Sequence, residues 1–256
     1  MSTVRAAVLG AGSWGTALAK LLADNGHEVW LWARREEQAS ALNEKRENEA
    51  YLPDFPLPDN LRATSSLEEA LSGSKLVLSV IPTHGLRHVL GQASALFPED
   101  APILSCTKGI ENSTLQLVSQ IFEEHLPEDR HRLLSYLTGP SFAREVAARM
   151  PTAVTVAGHV EETTERVQAL MGNPYFRVYT TDDVVGAELG GALKNVIAIA
   201  AGVGDGLGLG HNSRAAIITR GLAEIGRLGV HMGAHPMTVN GLAGMGDLVL
   251  TCTGDL

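Results

Sequence analysis

Cysteine is nearly missing from the chain: Cys106 and Cys252 are the only two in 256 residues. Two widely separated thiols exclude a disulfide framework and a Cys-rich metal site, and they fit a reducing compartment, so a cytoplasmic location is expected. Basic charge is also in deficit. Twenty Lys+Arg against 29 Asp+Glu leave a net charge of −9, and no Lys/Arg run exceeds a pair. This argues against a nucleic-acid surface whose affinity rests on phosphate neutralisation. A local site on an acidic protein can still be positive, so small anionic ligands remain candidates. No run of ~20 apolar residues is available to span a bilayer. The most apolar candidate, residues 196–203, is too short and is soon interrupted by glycine. Met1 to Leu9 lead from a short polar start into an apolar run that ends at Gly10, which is neither a signal-peptide core nor a cleavage site.

Hydrophobic residues supply 45% of the chain, enough for one large core or two smaller ones, and this excludes disorder as a whole-chain description. Glycine is abundant and unevenly placed: of 27, fifteen fall between Gly186 and Gly246. Up to about residue 180, short β-branched runs alternate with longer amphipathic ones, the pattern of βαβ units and a mainly parallel sheet. Strands are expected at 4–9, 28–32, 76–80, 103–106, 133–137, 152–157 and 177–180. Helices are expected near 14–24, 35–47, 85–96, 114–124, 142–148 and 161–170, with 51–60, rich in proline, as a loop. After Asp182-Asp183, a helix-capping pair, come two long helices at 184–201 and 213–228, apolar around most of their circumference and therefore expected to be buried on several sides. Residues 202–210 read as a flexible link between them. The fold class is α/β: a Rossmann-type N-terminal domain over 1–182, then an all-helical C-terminal domain over 183–256 that reads as truncated, because the chain stops without a closing element.

Gly10-Ala11-Gly12-Ser13-Trp14-Gly15 follows the first strand and opens a helix. In that setting Gly10 permits a tight turn, Gly12 admits a pyrophosphate, and Gly15 lets helix pack on strand, with the anion on the free N–H groups of the helix N-terminus. At the end of the second strand the acid that would hold a ribose 2′-hydroxyl is missing. Arg34 and Arg35 stand there instead and would welcome a 2′-phosphate, so NADPH is expected to serve at least as well as NADH. Two lysines have unusual settings. Lys108 follows a strand end, at the sheet edge where open α/β folds bind ligands. Lys194 lies in the middle of an apolar helix, where an isolated ammonium is costly and must be paired or functional.

With these residues in order, the chain resembles the bacterial NAD(P)-dependent glycerol-3-phosphate dehydrogenases along nearly its whole length. The motifs are Gly10–Gly15 with Trp14, the segment from Cys106 to Glu111, Gly139-Pro140-Ser141-Phe142-Ala143, the segment from Gly191 to Val196, and Gly244-Met245-Gly246-Asp247-Leu248. The resemblance implies interconversion of dihydroxyacetone phosphate and sn-glycerol 3-phosphate, the backbone precursor of glycerophospholipids. By position it implies Lys194 as proton donor and acceptor and Lys108 as a substrate ligand beside the nicotinamide. It implies substrate contacts at Gly139, Ser141, Asp247, Asn195 and Thr251. Cofactor contacts are implied at Ser13, Trp14, Arg34, Arg35, Lys108 and Ala143. In that family the chain continues past Leu256 with a Ser-Arg-Asn segment whose Arg holds the substrate phosphate and the cofactor. No metal, nucleic acid or membrane span is expected, and a homodimer is compatible with the reading.

The chemistry agrees with these roles. Hydride transfer to a ketone builds negative charge on the C2 oxygen, which calls for a cation and a proton donor there. A free lysine titrates at ~10.4, and burial beside a second ammonium lowers that value. Two other readings stay open at this stage. One is a β-hydroxyacid or 6-phosphogluconate-type dehydrogenase, in which a catalytic Asn lies one helical turn after the lysine; here Asn195 is adjacent and position 198 is Ala. The other is a non-catalytic dinucleotide-binding protein.

Overall fold

A computed structural model describes residues 3–254; the expectation attached to Asp255-Leu256 lies outside them. In chain order the elements are β1 (Arg5–Leu9), α1 (Ser13–Asp24), β2 (Glu28–Trp32), α2 (Glu36–Lys45), β3 (Glu47–Asn48), β4 (Leu52–Pro56), β5 (Leu61–Thr64), α3 (Leu67–Leu71), β6 (Leu76–Ser79), α4 (Thr83–Ala93), β7 (Ile103–Ser105), α5 (Val118–His125), β8 (Leu134–Thr138), α6 (Ala143–Ala147), β9 (Thr152–Ala157), α7 (Glu161–Met171), β10 (Phe176–Thr181), α8 (Val184–Gly206), α9 (Gly210–His231), α10 (Pro236–Val239) and, after a π-helical turn at Leu242–Gly246, α11 (Asp247–Thr253).

Eight strands form one sheet in the order β10-β9-β8-β7-β6-β1-β2-β5. Alternation along β1 sends Ala6 and Val8 to one face and Ala7 and Leu9 to the other, and all four are fully buried or nearly so. The first face packs under Leu18, Leu21 and Leu22 of α1 and Val167 and Met171 of α7. The second packs under Leu86 and Leu90 of α4, Ile121 and Phe122 of α5, and Val184 and Ala187 of α8. The strand order reverses between β1 and β6, so their carboxyl ends frame the crevice in which such sheets bind ligands.

Several local expectations are corrected. Strand β9 runs antiparallel to β8, with Leu137 opposite Val156, while the remaining pairs in the sheet are parallel. The connection through α6 turns back at the same edge instead of crossing the sheet. The proline-rich stretch expected as a loop contains β4, which pairs with β3 in a separate two-stranded ribbon. Proline is tolerated there because such an edge does not require every N–H. Asn48 anchors the ribbon by donating from Nδ2 to the Ala11 carbonyl and the Thr16 hydroxyl. Strand β5 and helix α3 were not anticipated. The helix expected from residue 114 begins at Val118, because Leu115 takes a left-handed φ of 59° and Ile110 pairs with Leu117 across the turn.

Residues 202–210 are not a loose link: α8 continues to Gly206 and α9 starts at Gly210. The two long helices are not buried on several sides either. Val196, Ile199 and Val203 on α8 are 65%, 69% and 57% exposed. Helix α8, at 23 residues, is long and apolar enough to cross a membrane by length and composition, contrary to the expectation that no such stretch exists. Within the fold it packs against α9, α11 and β8.

Candidate active site

The turn after β1 has the three glycine functions in separable form. Gly10 adopts φ +119°, and a Cβ there would meet the Val80 carbonyl oxygen at 2.5 Å; one at Gly15 would lie 1.8 Å from the Gly10 carbonyl oxygen. At Gly12 a Cβ would meet nothing within 4 Å. Two glycines therefore close the turn on β6 and one leaves its outer surface open, at the N-terminus of α1 where N–H groups are free to take an anion. The loop is braced by Gln38, which donates from Nε2 to the Ala11 carbonyl at 2.8 Å. Ser13 and Trp14 are half-buried, and Trp14 Nε1 is a buried donor without a partner among the described residues. Ala143 begins α6 and packs beside Trp14 in a small cluster with Ala17, Leu52 and Ala147. Arg34 and Arg35, at the end of β2, are exposed and form no ion pair among the described residues. The open Gly12, the free helix terminus and the orphan indole N–H together fit a dinucleotide.

From Trp14 a cleft of about 310 Å³ runs past Pro82 and Thr107 to Lys108 and Ser141. A larger cavity of about 680 Å³, near His159, Asp183 and His235, contains none of the sequence-predicted site residues. The smaller cleft is the chemically relevant one, because it joins Trp14 of the glycine turn to Lys108.

Thr107 and Thr83 fix the segment after β7. The Thr107 hydroxyl donates to the Ile81 carbonyl at 2.7 Å, and the Thr83 hydroxyl donates to the Lys108 carbonyl at 3.1 Å. Lys108 is thereby aimed inward: its Nζ donates to the Gly139 carbonyl at 3.2 Å and to Asp247 Oδ2 at 2.6 Å. Lys194 reaches the other oxygen of the same carboxylate, Nζ to Oδ1 at 2.5 Å. Asp247 is 1% exposed. Its place depends on glycine: a Cβ at Gly190 would sit 2.4 Å from the Ala243 carbonyl oxygen, so α8 lies directly on the π-helical turn that precedes Asp247. Lys194, one turn further along α8, then meets the carboxylate. Such π turns often mark functional sites.

Burial holds the Lys194 ammonium below the ordinary lysine range, and the positive charge of Lys108 acts the same way, while Asp247 opposes both. Ser141 donates from Oγ to the Gly139 carbonyl at 3.0 Å, beside the Lys108 bond to that same oxygen. Thr251 donates to the Asp247 carbonyl at 2.7 Å, one turn along α11. Asn195 is not brought in. Rotated by one helix position from Lys194, it is exposed, and none of the described side-chain hydrogen bonds links it to the lysines or Asp247. Cys106 is buried, with its thiol pushed far above the usual range by desolvation, as suits a packing residue. Of the Asp182-Asp183 pair, Asp183 caps α8 by accepting from the Gly186 N–H at 2.9 Å.

Sequence reasoning missed Glu188, Tyr136 and Thr138, which line a small cavity against Lys108. A signal existed for the first: Glu188 lies in the same apolar helix as Lys194, and the argument that singles out a buried lysine applies equally to a buried acid.

A family model described as the NAD-dependent glycerol-3-phosphate dehydrogenase N-terminus matches residues 5–164, and its C-terminus counterpart matches residues 183–256. A glycerol-3-phosphate dehydrogenase [NAD(P)+] of Myxococcus xanthus is 54% identical over 253 residues, covering 99% of this chain and 76% of the relative. One from Geobacter sp. is 57% identical over 250 residues, covering 98% and 75%. The crystal structure of glycerol-3-phosphate dehydrogenase from Coxiella burnetii superposes with a TM-score of 0.92 at 39% identity, covering 99% of this chain and 77% of that one. The glycine turn, the cleft and the bridged lysines thus sit in a chain that belongs to the NAD-dependent glycerol-3-phosphate dehydrogenase family of oxidoreductases.

Proposed function

We propose that this chain interconverts dihydroxyacetone phosphate and sn-glycerol 3-phosphate with NADPH or NADH, supplying the backbone of glycerophospholipids. The observation that carries the reading is the pair of lysines held on one buried carboxylate at the end of the cleft that starts at the nucleotide turn. When bound, the dihydronicotinamide supplies a hydride to C2 of the ketone. Lys194 donates a proton to the C2 oxygen as negative charge grows on it, and accepts that proton in the oxidative direction. Its depressed pKa makes that exchange easier near neutrality. Lys108 faces the same oxygen as a fixed cation, and Asp247 orients both ammonium groups. In this assignment Gly139, Ser141, Thr251 and, next to Lys194 on α8, Asn195 border the substrate. Gly10, Gly12, Ser13, Trp14, Gly15, Arg34, Arg35 and Ala143 border the cofactor.

Residues 1–182 are assigned as the dinucleotide-binding unit and 183–256 as the helical substrate-binding unit. NADPH serving at least as well as NADH is supported by the two guanidinium groups at the end of β2, which form no ion pair among the described residues. A cytoplasmic location is supported by two cysteines that both stay free, and a homodimer by the apolar side chains exposed on α8. The test is oxidation of NADPH and of NADH by dihydroxyacetone phosphate, followed by absorbance, with unphosphorylated dihydroxyacetone as control. Turnover that depends on the phosphate supports the assignment. Cofactor binding without turnover on either cofactor overturns it in favour of a dinucleotide-binding protein.

A further inference from the structure

Glu188 is the acid that the lysine chemistry leaves unused. It lies on α8 six residues before Lys194, about 9 Å along the helix axis, and it is buried. Its Oε1 accepts the Ser119 N–H at 2.8 Å, its Oε2 accepts the Ser119 hydroxyl at 2.5 Å, and the Val118 N–H also faces the carboxylate. Val118 and Ser119 are the first two residues of α5, whose opening N–H groups have no partner within their own helix. A side chain from the helix of Lys194 therefore caps a helix that packs on the sheet, at the positive end of its dipole.

On the other side of Glu188 is a cavity of about 10 Å³, bordered also by Tyr136, Thr138, Gly191 and Lys108. That is room for roughly one water molecule. The hydroxyls of Tyr136 and Thr138 are buried and have no partner among the described residues. Gly191 presses the contents together: a Cβ there would lie 3.1 Å from Thr138 Oγ1 and 3.5 Å from Cδ of Lys108. One end of this polar group thus holds α8 to α5, and the other lies against the stem of Lys108.

We propose that Glu188 is a positioning residue for the lysine pair. Its bonds to Ser119 set where α8 stands relative to α5, and its side of the cavity shared with Tyr136 and Thr138 supports Lys108, so that both ammonium groups reach Asp247 together. Bonds of 2.5 and 2.6 Å from two separate elements to one carboxylate leave no slack for α8 to slide. The titratable and charged groups around Glu188 are Glu123 on α5, Tyr136 on β8 and Lys108 after β7. This inference rests on the proposed function for its kinetic readout, and a second readout is independent of turnover.

The variants are Glu188→Gln, Glu188→Ala and Ser119→Ala. Glutamine can keep both contacts, its oxygen accepting the Ser119 N–H and its amide donating to the Ser119 hydroxyl, whereas alanine keeps neither. With dihydroxyacetone phosphate and NADPH, Glu188→Ala is expected to lose roughly 10- to 100-fold in kcat with a small change in KM, as misplacement of reacting groups does. Glu188→Gln should recover most of that loss, and Ser119→Ala should fall between. The second readout is the pH dependence of amine labelling at Lys194, read by mass spectrometry on the cofactor-free protein. Glu188→Ala or Ser119→Ala should shift the labelling midpoint, and Glu188→Gln should not. If Glu188→Ala does not fold, Ser119→Ala, which removes one hydroxyl, decides both readouts. Wild-type labelling behaviour in the folded alanine variants overturns the positioning role. An inactive wild type counts against the function, and labelling still decides the role of Glu188.

Discussion

Lys108 and Lys194 share one carboxylate without sharing an oxygen: Lys108 Nζ meets Asp247 Oδ2 at 2.6 Å and Lys194 Nζ meets Oδ1 at 2.5 Å. Asp247 thus keeps two ammonium groups close enough to serve one substrate oxygen, and its negative charge is what makes their proximity tolerable. Without it, burial and the neighbouring Lys108 act on Lys194 unopposed. Asp247→Asn should therefore lower the Lys194 pKa further. Reduction of the ketone needs the protonated lysine, so the alkaline limb of its kcat profile should move to lower pH, and the oxidative direction should gain at the same pH. An unmoved limb in the Asn variant would contradict the orienting and charge-balancing role.

Lys194→Ala removes the proposed proton carrier and leaves the nucleotide turn untouched. Loss of a positioned general acid costs typically ~10²- to 10⁴-fold, so kcat should fall by about that factor while the cofactor dissociation constant stays near wild type. Near-normal turnover would refute the assignment. Lys108→Ala should differ in kind, because Lys108 also bonds the carbonyl of Gly139, a proposed substrate contact: both KM for the phosphate substrate and kcat should worsen.

The glycines of the first turn predict opposite phenotypes for the same substitution. Gly15→Ala puts a methyl carbon 1.8 Å from a backbone oxygen that cannot move without shifting β1. Overpacking of this sort costs roughly 1–3 kcal/mol, so thermal unfolding should fall measurably. Gly12→Ala meets nothing within 4 Å, and the protein should unfold within ~0.5 kcal/mol of wild type. Its cost should appear only when cofactor is added, as a raised KM. Equal stability losses in the two variants would show that the turn does not divide its roles this way.

How much of this was legible in the chain follows from the range of the interactions. The β1–turn–α1 unit could be read because apolar alternation, glycine spacing and helix periodicity act over a few residues. Lys108 could be singled out because it follows a strand end at the edge where such sheets bind ligands, and Lys194 because a charge is unexpected in an apolar helix. The β3–β4 ribbon could not, because its proline-rich strand is held by Asn48 reaching Ala11 and Thr16, more than thirty positions away. Asn195 could be named only through the resemblance, because an exposed polar residue beside Lys194 on α8 gives no signal of its own. The antiparallel β9 and the capping of α5 by Glu188 are likewise set by distant partners, which periodicity does not encode.

Glu188 also makes a stability prediction whose sign can be worked out. Desolvation by burial raises its carboxyl to about 7 from an ordinary 4.5, against the lowering effect of the Ser119 bonds. Between those two values the folded protein holds a proton that the unfolded chain has released. The contribution of Glu188 to stability is therefore fully present below the unfolded pKa and declines as pH rises through the folded one. Glu188→Gln imitates the neutral carboxyl at every pH and has no such decline. In urea unfolding the two proteins should be close in stability near the acid end of this window, and the glutamine variant should gain on wild type as pH rises. One pKa unit corresponds to about 1.4 kcal/mol, which places the upper limit of the gain at about 3 to 4 kcal/mol. The comparison is a difference between two chains, so titration of Asp24, which Lys20 and Arg149 pull the other way, cancels from it. A stability difference that stays flat from about pH 5 to about pH 8 would mean that Glu188 does not change its protonation in this range.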